Sequence, residues 1–167
     1  MFEEMFTKKS YDAKSYVPLI VKMYVMLTED IKDVSFESKV FNQTMANVNI
    51  SQEEQTYMND IFDLVEYVHS MIDDKQIAKK LYKENTFWVS LVPFLKKTLD
   101  ERYVEDIFAD WVMKFFDSED GASISPEYNE ACLAGSAKPE NIQKRHKALE
   151  ENFNEYYSKI KNYKKED

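Results

Sequence analysis

Turn-forming residues are scarce in this chain: 167 residues include two glycines and four prolines, while Lys and Glu are the commonest residues. Few turns and many helix formers make an all-α domain the economical reading. Cysteine is scarcer still. Cys132 stands alone, which excludes an intrachain disulfide. Long apolar runs are missing too. The longest, residues 16–27, contains Lys22 and is too short to span a bilayer, so no membrane partner is expected. Glu3, Glu4, Lys8 and Lys9 interrupt any apolar stretch near the N-terminus, and nothing there resembles a signal peptide. The expected setting is therefore reducing and cytoplasmic. In that setting Asn42-Gln43-Thr44 and Asn49-Ile50-Ser51 are chance matches to the glycosylation pattern.

The length suits a single domain over 1–167, with 1–14 as a weakly structured lead-in and 164–167 as a frayed tail. A net charge of −9 argues against unaided binding to a polyanion over the whole surface. The charge is uneven. Between Asp100 and Glu130, ten acids face only Arg102 and Lys114, a balance of −8. Between Lys138 and Asp167, eight bases face six acids, a balance of +2. An acidic flank is followed by a mildly basic end.

Apolar spacing predicts a bundle of about seven helices ending in a long C-terminal one. The first helix, 16–30, is apolar nearly all round and is expected in the middle of the bundle. Residues 34–47 alternate like a strand at one end and are spaced like a helix at the other; helix is preferred because no second strand can pair with them. Ser51 and Glu54 form a capping box before a helix over 52–72. Asp73-Asp74 then caps a short helix through Ile77, Leu81 and Tyr82. Pro93 should kink or break a helix over 87–99, and Asp100 should cap the next, 101–116. Ser125-Pro126-Glu127 starts a short helix closed by Gly135, and Pro139 starts the last, which runs to about Tyr163. Its large side chains, Ile142, His146, Leu149, Phe153, Tyr156, Ile160 and Tyr163, alternate by four and three, one narrow seam for packing along the domain.

Chemistry-bearing constellations are weak. Glu66 and His69 have the spacing of a di-iron helix pair, but the other histidine, His146, is preceded at that spacing by Gln143, so no metal site is expected. Asp117-Ser118-Glu119-Asp120-Gly121 resembles a calcium loop only until its first position falls on Phe116, which has no side-chain oxygen. No glycine-rich elbow stands near Cys132 or a serine, and no phosphate-cradling loop occurs, so neither a catalytic residue nor a cofactor is assigned. Lys144, Arg145, His146 and Lys147 form the one dense basic group. They read either as a patch for phosphates or an acidic partner, or as solvated residues with His146 packed into the seam.

From Phe87 to Tyr157 a further order of features appears: Phe87-Trp88, Phe115-Phe116, Glu127-Tyr128, Ala134-Gly135-Ser136, Lys138 to Asn141, then Arg145-His146 before Leu149 and Tyr156. This order resembles the helical region that follows the ParB-like nuclease domain in GmrSD-type proteins, a family linked to restriction of modified foreign DNA. Gly135, Ser136, Arg145 and His146 match positions that recur there. The family's nuclease signature, Asp-Gly-Gln-Gln-Arg, has no counterpart: Asp120-Gly121 runs on into Ala122-Ser123. Met1 would then mark a domain boundary or a free-standing relative, and no nuclease activity is carried over.

The resemblance implies a non-catalytic helical interaction domain of a restriction-type defence protein, docking a nuclease domain, a partner subunit or DNA. Lys144, Arg145, His146, Lys147, Gly135 and Ser136 are its expected binding residues. The competing expectation is an acidic inhibitor, of phage or host origin, whose flank from Asp100 to Glu130 covers a nucleic-acid-binding surface on a target. An enzyme site assembled from distant residues is a third class. The seam could also continue into a second copy, giving a homodimer.

Overall fold

The computed structural model describes residues 8–73, 77, 85–101, 103, 105–117 and 123–163. Among them lie eight α-helices and no strand: α1 Lys8–Asp12, α2 Val17–Thr28, α3 Ser38–Asn47, α4 Gln52–Met71, α5 Asn85–Glu101, α6 Glu105–Phe115, α7 Pro126–Ala131 and α8 Pro139–Tyr163. The all-α expectation holds. The short helix expected after Asp73 lies outside the described residues except for Ile77, which is helical and buried. Val104, Glu119, Asp120 and Gly121 lie outside them as well.

The central place belongs to α5, not to α2. α5 packs against α2, α4 and α8, while α6 touches α4 and α8. Trp88, Val89, Ser90, Leu91, Val92, Phe94, Leu95 and Thr98 of α5 are all buried. The helix is continuous through Pro93, so the expected break does not occur. Neighbours on several sides hold α5 in place, and tertiary burial outweighs the lost donor. α2 leaves Lys22 and Tyr24 half-buried, and so does not sit at the middle of the bundle.

Residues 34–37 precede α3 as extended chain, which explains their strand-like alternation: Val34 and Phe36 are buried, and the Phe36 N–H donates to the carbonyl of Ala137 at 2.9 Å. The capping box forms as expected, with Ser51 Oγ accepting from the Glu54 N–H at 3.2 Å and Glu54 Oε2 from the Ser51 N–H at 2.8 Å. Asp100 does not cap a helix. It sits in the last turn of α5, where its carboxylate accepts from the Tyr57 hydroxyl at 2.8 Å and pairs with Lys96. With that carboxylate engaged, α6 starts later, and Glu105 and Asp106 supply the negative charge at its N-terminus.

An aromatic cluster joins α5, α6 and α8. Trp111 stands edge-on to Phe153 with ring centroids 4.8 Å apart, and Phe94 lies 5.6 Å from Trp111 and 5.4 Å from Phe153. The Trp111 indole N–H donates to Asn152 Oδ1 at 2.9 Å, so its polar edge is satisfied beside α8. This cluster fixes the rotation of α8. The buried line is Ile142, Arg145, Leu149, Phe153 and Tyr157, whereas His146 and Tyr156 are only half-buried. The anticipated seam is therefore turned: Arg145 takes the inward place assigned to His146, and Tyr157 that assigned to Tyr156. An unsupercoiled helix of 3.6 residues per turn drifts from a strict heptad, and steps of four from Leu149 to Phe153 to Tyr157 follow that drift.

Candidate functional site

The residues singled out in the sequence gather at the head of α8. Ser125 caps α7, accepting from the Tyr128 N–H at 3.2 Å. After Ala131 the chain makes a series of turns, and Gly135 adopts φ +82°. That left-handed conformation favours glycine. The Gly135 carbonyl accepts from the Lys138 N–H at 2.9 Å and from Asn141 Nδ2 at 3.0 Å, tying the turn to the first turn of α8.

The basic group does not act as one patch. Lys144 and Lys147 are exposed. His146 stacks on Phe94, ring centroids 5.3 Å apart and 28° between planes; burial holds its pKa below the ordinary value, with Glu150 opposing. Arg145 faces inward and is 3% exposed. Its burial sets it apart from exposed Lys144 and Lys147. Its Nε donates to Ser90 Oγ at 3.2 Å and its Nη1 to the Ala131 carbonyl at 2.6 Å. Ser90 Oγ in turn donates to the Thr86 carbonyl at 2.7 Å. Burial lowers the Arg145 pKa, opposed by Cys132 and Tyr128, but an arginine so placed is still a cation.

Beside Arg145 lies a cavity of about 50 Å³, lined by Lys22, Phe36, Thr86, Val89, Ser136, Ala137 and Arg145. Ser136 and Arg145 are thus brought to one place. Lys22 comes from α2, and sequence reasoning missed it. The signal was its position as the lone charge inside residues 16–27. Its ammonium stands over the rings of Phe36 at 5.5 Å and Phe41 at 5.3 Å. Burial lowers its pKa, and the charge of Arg145 lowers it further. Among the described residues, neither Lys22 nor Arg145 pairs with a carboxylate.

Lys144 and Lys147 open onto a different feature, a groove of about 570 Å³ between α7 and α8. Glu127, Glu130, Glu151 and Glu155 line it with them, four carboxylates against two ammonium groups. Lys147 Nζ is 3.7 Å from Glu151. Ile124, 49% exposed, and Pro126 supply an apolar lip.

The acids between Asp100 and Glu130 are divided. Asp100 and Glu105 join Asp60 and Asp63 in a groove between α4 and the junction of α5 and α6, while Glu127 and Glu130 line the α7–α8 groove; the two share no lining residue. Asp106 accepts from the Tyr67 hydroxyl at 2.5 Å, and Asp110 from that of Tyr156. Several of these carboxylates thus pin one helix to another. Among the described residues no group of three or more His, Cys, Asp or Glu is placed to hold a metal ion, and no helix is long and apolar enough to cross a membrane.

No protein-family model, curated protein or solved structure matches the chain.

Proposed function

We propose that this chain is a non-catalytic helical interaction domain of a restriction-type defence protein that docks a protein partner, a nuclease domain or a companion subunit, through the α7–α8 groove. The resemblance over Phe87 to Tyr157 supplies the family context. The observation that carries the choice of partner is the groove's mixed lining: Lys144 and Lys147 stand among Glu127, Glu130, Glu151 and Glu155 beside exposed Ile124. A phosphate backbone laid on those lysines would also meet four carboxylates, and counterion release from two ammonium groups would not offset that repulsion. A protein segment bearing basic side chains and one apolar anchor complements both the charge excess and the apolar lip.

The test is calorimetric titration of the purified chain with ParB-like nuclease domains and companion subunits encoded beside it, and with plain and modified duplex DNA across a salt series. The reading expects saturable binding to one of those proteins. It expects weakening of at least about tenfold, roughly 1.4 kcal/mol, in Glu127→Lys/Glu130→Lys, with Lys144→Glu/Lys147→Glu retaining affinity. Salt-sensitive DNA binding that disappears in Lys144→Glu/Lys147→Glu would overturn it, as would no binding to any of the proteins.

A further inference from the structure

We propose that the cavity between Lys22 and Arg145 is a binding site for a phosphoryl-sized oxyanion: inorganic phosphate or the terminal group of a small phosphate monoester. The claim is independent of the docking groove, with which the cavity shares no lining residue.

The charge arrangement comes first. Two cations from separate helices, α2 and α8, line one small cavity, and the described residues supply no carboxylate to either. Sequestering a charge from water is unfavourable unless it is paired, and placing two like charges around one cavity adds repulsion. The rings of Phe36 and Phe41 ease the Lys22 ammonium without neutralising it. An anion in the cavity would neutralise both cations at once.

The donor set fits that anion. A guanidinium has five N–H groups, and Arg145 commits one to Ser90 and one to Ala131, so three remain. Those two bonds hold the planar group in a fixed orientation, which suits a fork meeting two oxygens of a tetrahedral oxyanion. Lys22 adds a point charge from α2, and Thr86 and Ser136 add hydroxyl-bearing side chains to the lining. Every charged group in that lining is positive.

Size restricts the ligand. One water requires about 10–15 Å³ of such space, so a cavity of about 50 Å³ accepts a group of roughly four or five heavy atoms. A phosphoryl group fits; a nucleoside does not, and the remainder of a monoester would lie outside.

The wall is also built to hold its shape. The Phe36 N–H bond to the Ala137 carbonyl joins the extended segment before α3 to the Gly135–Ala137 turn, and left-handed Gly135 sets the path that brings Ser136 to the cavity. These features give a role to the Gly135-Ser136 and Arg145 positions that the packing of α8 alone does not require.

The experiment is thermal unfolding and calorimetry of the full chain with inorganic phosphate, a nucleoside 5′-monophosphate and chloride at matched ionic strength and pH. Lys22→Met and Ser136→Ala are measured beside the wild type. Phosphate should raise Tm above the chloride value with saturable heat; a comparable effect from the monophosphate marks the monoester as a source, and its absence restricts the site to the free ion. Lys22→Met, which relieves repulsion in the empty cavity, should unfold at a higher temperature than wild type in chloride and lose at least about tenfold in phosphate affinity. Ser136→Ala should bind phosphate more weakly without that gain. No phosphate heat in the wild type, or unchanged phosphate affinity in Lys22→Met, overturns the proposal.

Discussion

Arg145 and Ala131 are joined by a 2.6 Å hydrogen bond from Nη1 to a backbone carbonyl, with Arg145 almost wholly buried. The bond ties the body of α8 to the last residue of α7, and the same guanidinium reaches Ser90 in α5. Three helices therefore meet on one cation. Arg145→Ala should lower the free energy of unfolding by about 1.5–3 kcal/mol, the value of hydrogen bonds to a charged group, partly offset by relief of Lys22. Arg145→Lys keeps the charge, loses the fixed fork and should recover only part of the loss. Urea denaturation of the variants checks this; wild-type stability in Arg145→Ala would place the side chain in solvent.

Gly135 offers a backbone test. A Cβ there would approach Asn141 Nδ2 at 3.4 Å and Lys138 Cδ at 3.5 Å, near-ordinary contacts, so the penalty of Gly135→Ala is conformational. It should destabilise by about 1–2 kcal/mol because an L side chain must hold φ +82°. Gly135→Asn should be milder, since asparagine tolerates that region better. Equal stability of the alanine and glycine forms would contradict the turn geometry.

His146 sets a pH dependence. Its folded-state pKa is lowered, chiefly by burial against α5. Between that lowered value and the ordinary value near 6.5, the unfolded chain binds a proton that the folded chain does not, so stability rises with pH through this window. Acidification from pH 7.5 toward 5.5 should lower Tm, and His146→Gln should remove part of that slope. A Tm that increases on acidification, with the same slope in His146→Gln, would refute the assignment.

Local chemistry made much of the fold legible. Ser51 with Glu54 and Pro139 each act within one or two turns of chain, and the structure puts them to the anticipated use; Gly135, expected to close the short helix, lies instead in the turns after it, since α7 ends at Ala131 with Cys132 as its cap. Asp100 failed as a cap because Tyr57, 43 residues away, holds its carboxylate. Such a competitor leaves no trace in a local window. The basic group at the head of α8 misled for a related reason. Four consecutive polar residues read either as a patch or as solvated residues with His146 in the seam, yet 3.6 residues per turn put Arg145 inward while Lys144 and Lys147 point out. The expected seam runs through Tyr156, whereas the packing around Phe153 and Trp111 goes with Tyr157 buried and Tyr156 half-buried. Lys22 was visible as an interruption of an apolar helix, but its meeting with Arg145 depends on α2 and α8 both reaching the cavity beside α5.

The inward cation underlies both the cavity and the division of the basic group, and the side-chain N–H signals of arginine report on it directly. The chain contains two arginines, Arg102 and Arg145, so removal of Arg102 assigns both Nε–H resonances in a nitrogen-15 correlation spectrum. The account predicts that the Arg145 Nε–H exchanges slowly with water at neutral pH, weakens in Ser90→Ala, and shifts on addition of phosphate. An Arg145 signal exchanging at the rate of a free guanidinium would contradict the buried placement and remove the basis of the cavity.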